Sequence, residues 1–177
     1  AVIKADAYGH GLETGARAAL AGGADALAVA LVEEAAALRA LGIGSPVVLL
    51  SEPPGDAAAA VVDLELEPMV YSTEFIDALE VAAHRAGTIA AVHLKVDTGM
   101  RRVGCEPRDA VELARLIDRS GALRLRGVAT HLAGADDPRS DQTAQQLATF
   151  ADVTDRLAAA GFDRLIRHAA NSAGTIG

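Results

Sequence analysis
The chain is poor in several residue types, and each shortage excludes a class of protein. Among 177 residues there is one cysteine, no tryptophan, and an aromatic content of 3%. A single thiol, Cys105, excludes an intramolecular disulfide framework and fits a reducing, cytoplasmic compartment. No uninterrupted apolar run approaches the roughly 18 residues that a membrane-spanning helix needs. The opening Ala1-Val2-Ile3-Lys4 has neither a charged leader nor an initiating methionine, and it reads as the middle of a strand, so a fragment is expected. Basic side chains number 16 against 24 acidic ones, for a net charge of −8. With no Lys/Arg-rich block to offset it, that balance argues against nucleic acid as the main partner. Lysine is the scarcest charge of all. Only Lys4 and Lys95 occur, and every other cation is arginine. A guanidinium forms no Schiff base, whereas a lysine amine does, and its pKa shifts readily on burial.

What is present is apolar. Hydrophobic residues make up 51% of the chain, which is core enough to fold without metal or disulfide staples. Short apolar runs recur between helical patterns. The predicted strands are Ala1–Lys4, Ala26–Val29, Val47–Leu50, Glu67–Val70, Ala91–Val96, Gly127–His131 and Leu165–His168. Turn residues bound them, and continuous apolar runs of this length suit buried parallel strands. Three helical faces stand out between them. Ala110, Leu113, Ala114 and Ile117 form one. Phe75, Leu79, Ala82, Ala83 and Ala86 form another, behind a Ser72 N-cap. Leu147, Phe150, Ala151, Thr154, Leu157 and Ala158 form the longest. Strand and helix in repeated alternation predict an α/β fold with a parallel sheet. An open doubly wound sheet and a (β/α)₈ barrel both satisfy the pattern. A barrel typically needs about 250 residues, so residues 1–177 would supply about seven strands of one.

In either architecture chemistry collects at the C-terminal ends of the strands. Both lysines fall there, Lys4 after the first predicted strand and Lys95 near the end of the fifth, where partial desolvation lowers the pKa of an amine. His131 and His168 end the next two strands. Ala170-Asn171-Ser172-Ala173-Gly174 is small and polar and precedes a predicted helix, which makes it both an ordinary N-cap and a candidate anion site. A strand-end lysine together with such a site suggests a phosphate-bearing aldehyde, pyridoxal 5′-phosphate (PLP), with Tyr8 placed to offer its hydroxyl. His93 reads as structural, His84 as surface, His10 as a turn cap and Cys105 as inert. Glu33-Glu34 and Asp136-Asp137 read as solvated loops or helix starts, and no metal-ligand spacing is found.

Four segments carry a family resemblance. Val2-Ile3-Lys4-Ala5-Asp6-Ala7-Tyr8-Gly9-His10-Gly11 resembles the PLP-attachment signature of alanine racemases. Leu94-Lys95-Val96-Asp97-Thr98-Gly99-Met100 with Arg102-Val103-Gly104, then Thr130-His131-Leu132-Ala133, then His168-Ala169-Ala170-Asn171-Ser172-Ala173-Gly174 resemble its later motifs, in the family's order. One position departs: Arg101 stands where the family usually has glycine. The resemblance implies a partial N-terminal PLP-binding barrel over residues 1–177, incomplete at both ends and without the family's C-terminal β-domain. It implies that Lys4 carries the cofactor and acts as one of two catalytic bases. Tyr8 and Ser172 would hold the phosphate, with backbone near Asn171. Arg102 would lie beside the phenolic oxygen, positioned by Lys95, which is carbamylated in many relatives. His131 would join the hydrogen-bond network under the ring. The implied reaction is interconversion of L- and D-alanine for peptidoglycan, with the second base a tyrosine from the partner subunit of a homodimer, so the 177-residue piece alone is expected to be inactive. A non-catalytic PLP-binding barrel and a PLP decarboxylase of the same fold type are the alternatives; the first suits the short length, but the strand-one motif of both differs from the one here.

Overall fold
A computed structural model describes residues 1–176. Six strands form: β1 (Leu27–Val29), β2 (Val47–Leu49), β3 (Leu66–Val70), β4 (Ala90–Lys95), β5 (Leu123–Ala129) and β6 (Ile166–His168). They make one parallel sheet in the order β1-β2-β3-β4-β5-β6. Each strand lies beside the next in sequence, and the order never reverses. A doubly wound sheet must reverse its strand order at a switch point, whereas a barrel winds in one direction. The sheet is therefore an incomplete (β/α) barrel, as the motif order implies. Its helices are α1 (Lys4–Tyr8), α2 (Leu12–Ala21), α3 (Val32–Ala40), α4 (Ala58–Asp63), α5 (Thr73–Ala86), α6 (Ala110–Arg119), α7 (Gln142–Ala159) and α8 (Ser172–Ile176).

The first predicted strand shrinks to a single parallel bridge between Val2 and Ala28. The reason lies in the next residues. Ala5, Asp6, Ala7 and Tyr8 have φ between 51° and 56°, so α1 is a left-handed turn. For an L-residue that conformation costs about 1–2 kcal/mol each, so it persists only where its surroundings hold it. Here Ala5 N–H donates to Glu34 Oε1 at 2.5 Å, and Leu12 N–H donates to Asp6 Oδ1 at 2.6 Å. Ala7 is buried against α2 at Gly15, where an added Cβ would lie 2.5 Å from the Ala7 Cβ.

The core lies between the outer face of the sheet and the helices. Leu27, Val29, Val47, Leu49, Val92 and Leu94 pack there with Leu38, Ile76, Leu79 and Ile117. Each fully buried Leu, Ile or Val contributes about 1.5–3 kcal/mol. The predicted face of α6 is the buried one; on α5, Phe75, Leu79 and Ala83 are buried as predicted together with Ile76, while Ala86 is exposed, and Ser72 Oγ caps α5 by accepting from Phe75 N–H. The face of α7 is rotated by one position: Gln146 and Val153 are buried, while Leu147 is 43% exposed. Strand β5 begins four residues before the predicted run. Its pairing with β4 steps from Val92↔Leu125 to His93↔Gly127, leaving Arg126 as an extra, bulged residue. Arg124 and Arg126 hid the start of this strand in the sequence.

Strand alternation sends Val92 and Leu94 outward and His93 and Lys95 into the barrel. In register with these, Gly127 and Ala129 of β5 face inward beside Ile166 and His168 of β6. The interior is thus more polar on this side than its length of apolar strand suggests.

Candidate active site
Lys95 ends β4 with its side chain inward and is 5% exposed. Burial, with the nearby Arg102 guanidinium adding to it against Asp97, pulls its pKa down to about 8. The loop that follows wraps one carboxylate. Asp97 accepts from the N–H groups of Gly99 (2.9 Å), Arg101 (3.0 Å) and Arg102 (3.0 Å). Burial alone would raise this carboxyl, but those backbone donors outweigh it and hold it below the usual range. The loop closes back through Cys105, whose N–H donates to Lys95 O at 2.9 Å. Burial and the neighbouring Asp109 push the Cys105 thiol up to about 12, which disfavours the thiolate that reactivity needs.

Arg101 has φ 57°, in the left-handed region. The structural motive for glycine at this position in the family is therefore visible: the loop turns through a backbone conformation that side chains resist. Its neighbour Arg102 lines a cleft with Lys95, Asp97, Met100, Thr130 and His131. Of the two arginines it is Arg102 that faces the site.

His131 follows β5. Burial lowers its pKa, and the charges of Lys95, Arg102 and Lys4 lower it further. Four predicted site residues, on three different chain segments, therefore share one region at the C-terminal rim. Their charge is one-sided. The nearest carboxylate, Asp97, is committed to backbone donors, and among the described residues no group of three His, Cys, Asp or Glu is arranged to hold a metal. An excess of cations around a reactive amine is a fit for an anionic aldehyde such as PLP, whose phosphate and phenolic oxygen would take that charge.

Lys4 and the other predicted residues differ in exposure and in their partners. Lys4 is half-buried at the start of the left-handed turn, and Tyr8, at its end, is 61% exposed. Asn171 caps α8: its Oδ1 accepts from Gly174 N–H at 3.0 Å, and its Nδ2 donates to Leu132 O at 3.1 Å. The side-chain amide is thus spent on structure, while Ser172 beside it is exposed.

Two supporting residues escaped the sequence reading. Gln146, on α7, donates to His131 O (3.0 Å) and Thr98 Oγ1 (3.2 Å) and accepts from Ala133 N–H (2.8 Å). Thr98 in turn shares a 2.7 Å hydrogen bond with Thr130. One buried amide thereby ties the loops of Arg102 and His131 together. Glu34 is the other. It stands at a helix start, as expected, yet its carboxylate also pins the N–H next to Lys4 and accepts from Ala30 (2.8 Å) and Leu31 (3.1 Å). A lone Gln on a helix face and one of two adjacent glutamates carry no signal of such roles.

Known proteins resemble this chain along nearly its whole length. The family model described as the alanine racemase N-terminal domain matches residues 1–177. Alanine racemase of Treponema denticola is 43% identical over 173 residues, covering 96% of this chain and 46% of that protein. That of Symbiobacterium thermophilum is 44% identical over 174 residues, covering 98% and 46%. Among solved structures, alanine racemase from Streptomyces coelicolor A3(2) superposes with a TM-score of 0.93 at 38% identity, covering 99% of this chain and 48% of that one. The Clostridium difficile 630 enzyme in complex with cycloserine gives 0.92 at 35%, covering 97% and 48%. The chain spans about half the length of these relatives. With the whole of it matched by the family model, and with the strand order and the four motifs in place, it belongs to the alanine racemase family, as that family's N-terminal domain.

Proposed function
We propose that this domain binds PLP and serves, within the whole protein, to interconvert L- and D-alanine, so supplying D-alanine for peptidoglycan in the cytoplasm. The observation that carries the reading is the convergence of Lys4, Lys95, Arg102 and His131 on one cation-rich rim. When bound there, PLP would supply an electron sink that acidifies the Cα–H of an attached amino acid. Lys4 would hold the cofactor covalently, and its released amine would remove or return the Cα proton on one face of the substrate. Arg102 would face the phenolic oxygen as a hydrogen-bond donor. Lys95 stands beside Arg102 and would position it once carbamylated; its lowered pKa leaves part of the amine uncharged, the form that takes up carbon dioxide as a carbamate. A carbamate would convert a repelling neighbour of Arg102 into an attracting one. Tyr8, Ser172 and the backbone beyond Asn171 would anchor the phosphate. His131, whose pKa is lowered by burial and then by the cations around it, would complete the hydrogen bonds under the ring.

Inversion at carbon requires a proton taken from one face and delivered to the other, and Lys4 serves only one. The second base would be a tyrosine from the partner subunit of a homodimer. Borohydride reduction of the PLP-loaded protein followed by peptide mapping tests the assignment. The expected label is on Lys4; a label on Lys95 would overturn it.

A further inference from the structure
One cluster of titratable groups, two of them buried and the third half-buried, has no part in the chemistry above. Glu67 of β3, His93 of β4 and His168 of β6 form a chain across the barrel interior. His93 Nε2 lies 2.9 Å from Glu67 Oε2, and His93 Nδ1 lies 3.0 Å from His168 Nε2. The two imidazole planes meet at 75°, with centroids 4.8 Å apart. The other Glu67 oxygen accepts from Arg126. His93 is 1% exposed and Glu67 8%.

Strands β4 and β6 are not neighbours, because β5 runs between them. The imidazoles meet by passing over Gly127, which pairs with His93 on one side and Ile166 on the other. A Cβ on Gly127 would collide with His93 Nδ1 and sit 3.1 Å from His168 Nε2. The bulge in β5 serves the same chain twice: it makes Arg126 the extra residue that reaches Glu67, and it brings Gly127 beneath the ring contact.

Proton counting then fixes what His168 presents to the site. The Glu67 carboxylate, paired with Arg126, accepts only, so His93 Nε2 carries a hydrogen. A neutral His93 is then bare at Nδ1, and the hydrogen between the rings belongs to His168 Nε2. A second proton on His93 would place a further cation in a buried site whose single carboxylate already serves Arg126. No hydrogen bond to His168 Nδ1 is found among the described residues. His168 stands in register with Ala129 and, through it, with Lys95, in the layer that forms the rim.

We propose that Glu67 and His93 are positioning residues that lock His168 as a neutral imidazole protonated at Nε2, offering bare Nδ1 as a hydrogen-bond acceptor at the cofactor rim. The group it selects is an N–H or O–H donor. It does not donate a proton to the ligand. The functional meaning rests on the PLP reading, while the tautomer stands on the chain of contacts alone.

Nitrogen-15 NMR of histidine-labelled full-length protein tests this directly. The expected His168 spectrum shows a protonated Nε2 and an unprotonated Nδ1. The Gly127→Ala and His93→Phe variants are expected to break the chain and let His168 exchange between tautomers. A protonated Nδ1 in the unaltered protein would overturn the proposal, as would an unchanged tautomer in folded His93→Phe. Should Gly127→Ala fail to fold, the unaltered spectrum and His93→Phe still decide. Borohydride mapping of Lys4 in the same preparation separates failure of the lock from failure of the PLP assignment.

Discussion
Arg101 adopts a left-handed backbone in which an L side chain is strained by about 1–2 kcal/mol. Glycine is free of that strain but loses more entropy on folding. Arg101→Gly should therefore raise stability only slightly, by roughly 0.5–1 kcal/mol, and leave the positions of Asp97 and Arg102 intact. Denaturant titration of the two proteins measures it; a loss of stability would mean that the Arg101 side chain contributes more than its backbone costs. Lys95 gives a second prediction, with a sign. Its pKa falls to about 8 in the folded protein from an ordinary value of 10.5. Between those values the unfolded chain binds more protons than the folded one, so stability rises as pH rises through that window and the penalty of burying the charge is fully present below it. Lys95→Met should therefore stabilise the unmodified protein at pH 7, by at most about 3 kcal/mol, with the gain shrinking toward pH 10.5. A carbamate on Lys95 would abolish this pattern, which mass spectrometry of the intact protein would reveal in the same samples.

Among the elements, the left-handed turn α1 depends on its support from α2 and α3. Gly15 is the position at which α2 touches Ala7, and Gly15→Ala should displace the turn and destabilise the protein by about 1–3 kcal/mol, the range typical of overpacking. Because Lys4 opens that turn, PLP binding should weaken as well, which spectroscopic titration of the cofactor would detect. Gln146→Leu keeps the bulk of the side chain and removes three hydrogen bonds that join the loops of Thr98 and His131. The groups left unpaired should cost about 1–3 kcal/mol.

These two elements also mark what the sequence could disclose. The faces of α5 and α6 follow from spacing alone, because apolar burial against a sheet imposes a 3.6-residue repeat. The lysines and His131 were legible because their rarity or their place at strand ends set them apart, whereas Arg102 was picked out only by the family resemblance. Gln146 was not, since a polar residue enters a buried face when it finds partners, and its partners lie 13 to 48 residues away in the chain. The left-handed turn was equally hidden. Ala carries no preference for positive φ, Asp only tolerates it as a single residue, and the conformation is held by contacts with Glu34 and Gly15 in other helices. His93 was read as structural, and its place in a chain to His168 emerges only when the bulge and Gly127 bring β4 and β6 within reach of each other.

For the molecule as a whole, the winding of the sheet brings Lys95, Arg102 and His131 together at the C-terminal rim, and the proposed reaction takes its second base from the partner subunit. The isolated 177-residue chain should show no appreciable racemisation of alanine. Turnover that disappears in Lys4→Ala would overturn this expectation. No helix among the described residues is long and apolar enough to cross a membrane. Among the described residues β6 has one strand neighbour, β5, and Ile166 is 45% exposed. Unpaired backbone donors and acceptors along such a strand are a template for any extended chain that reaches them. Produced alone, the domain should therefore self-associate in a concentration-dependent way. The same edge makes it a candidate half of a split protein, in which the following segment, supplied as a separate polypeptide, would recover solubility before it recovers activity.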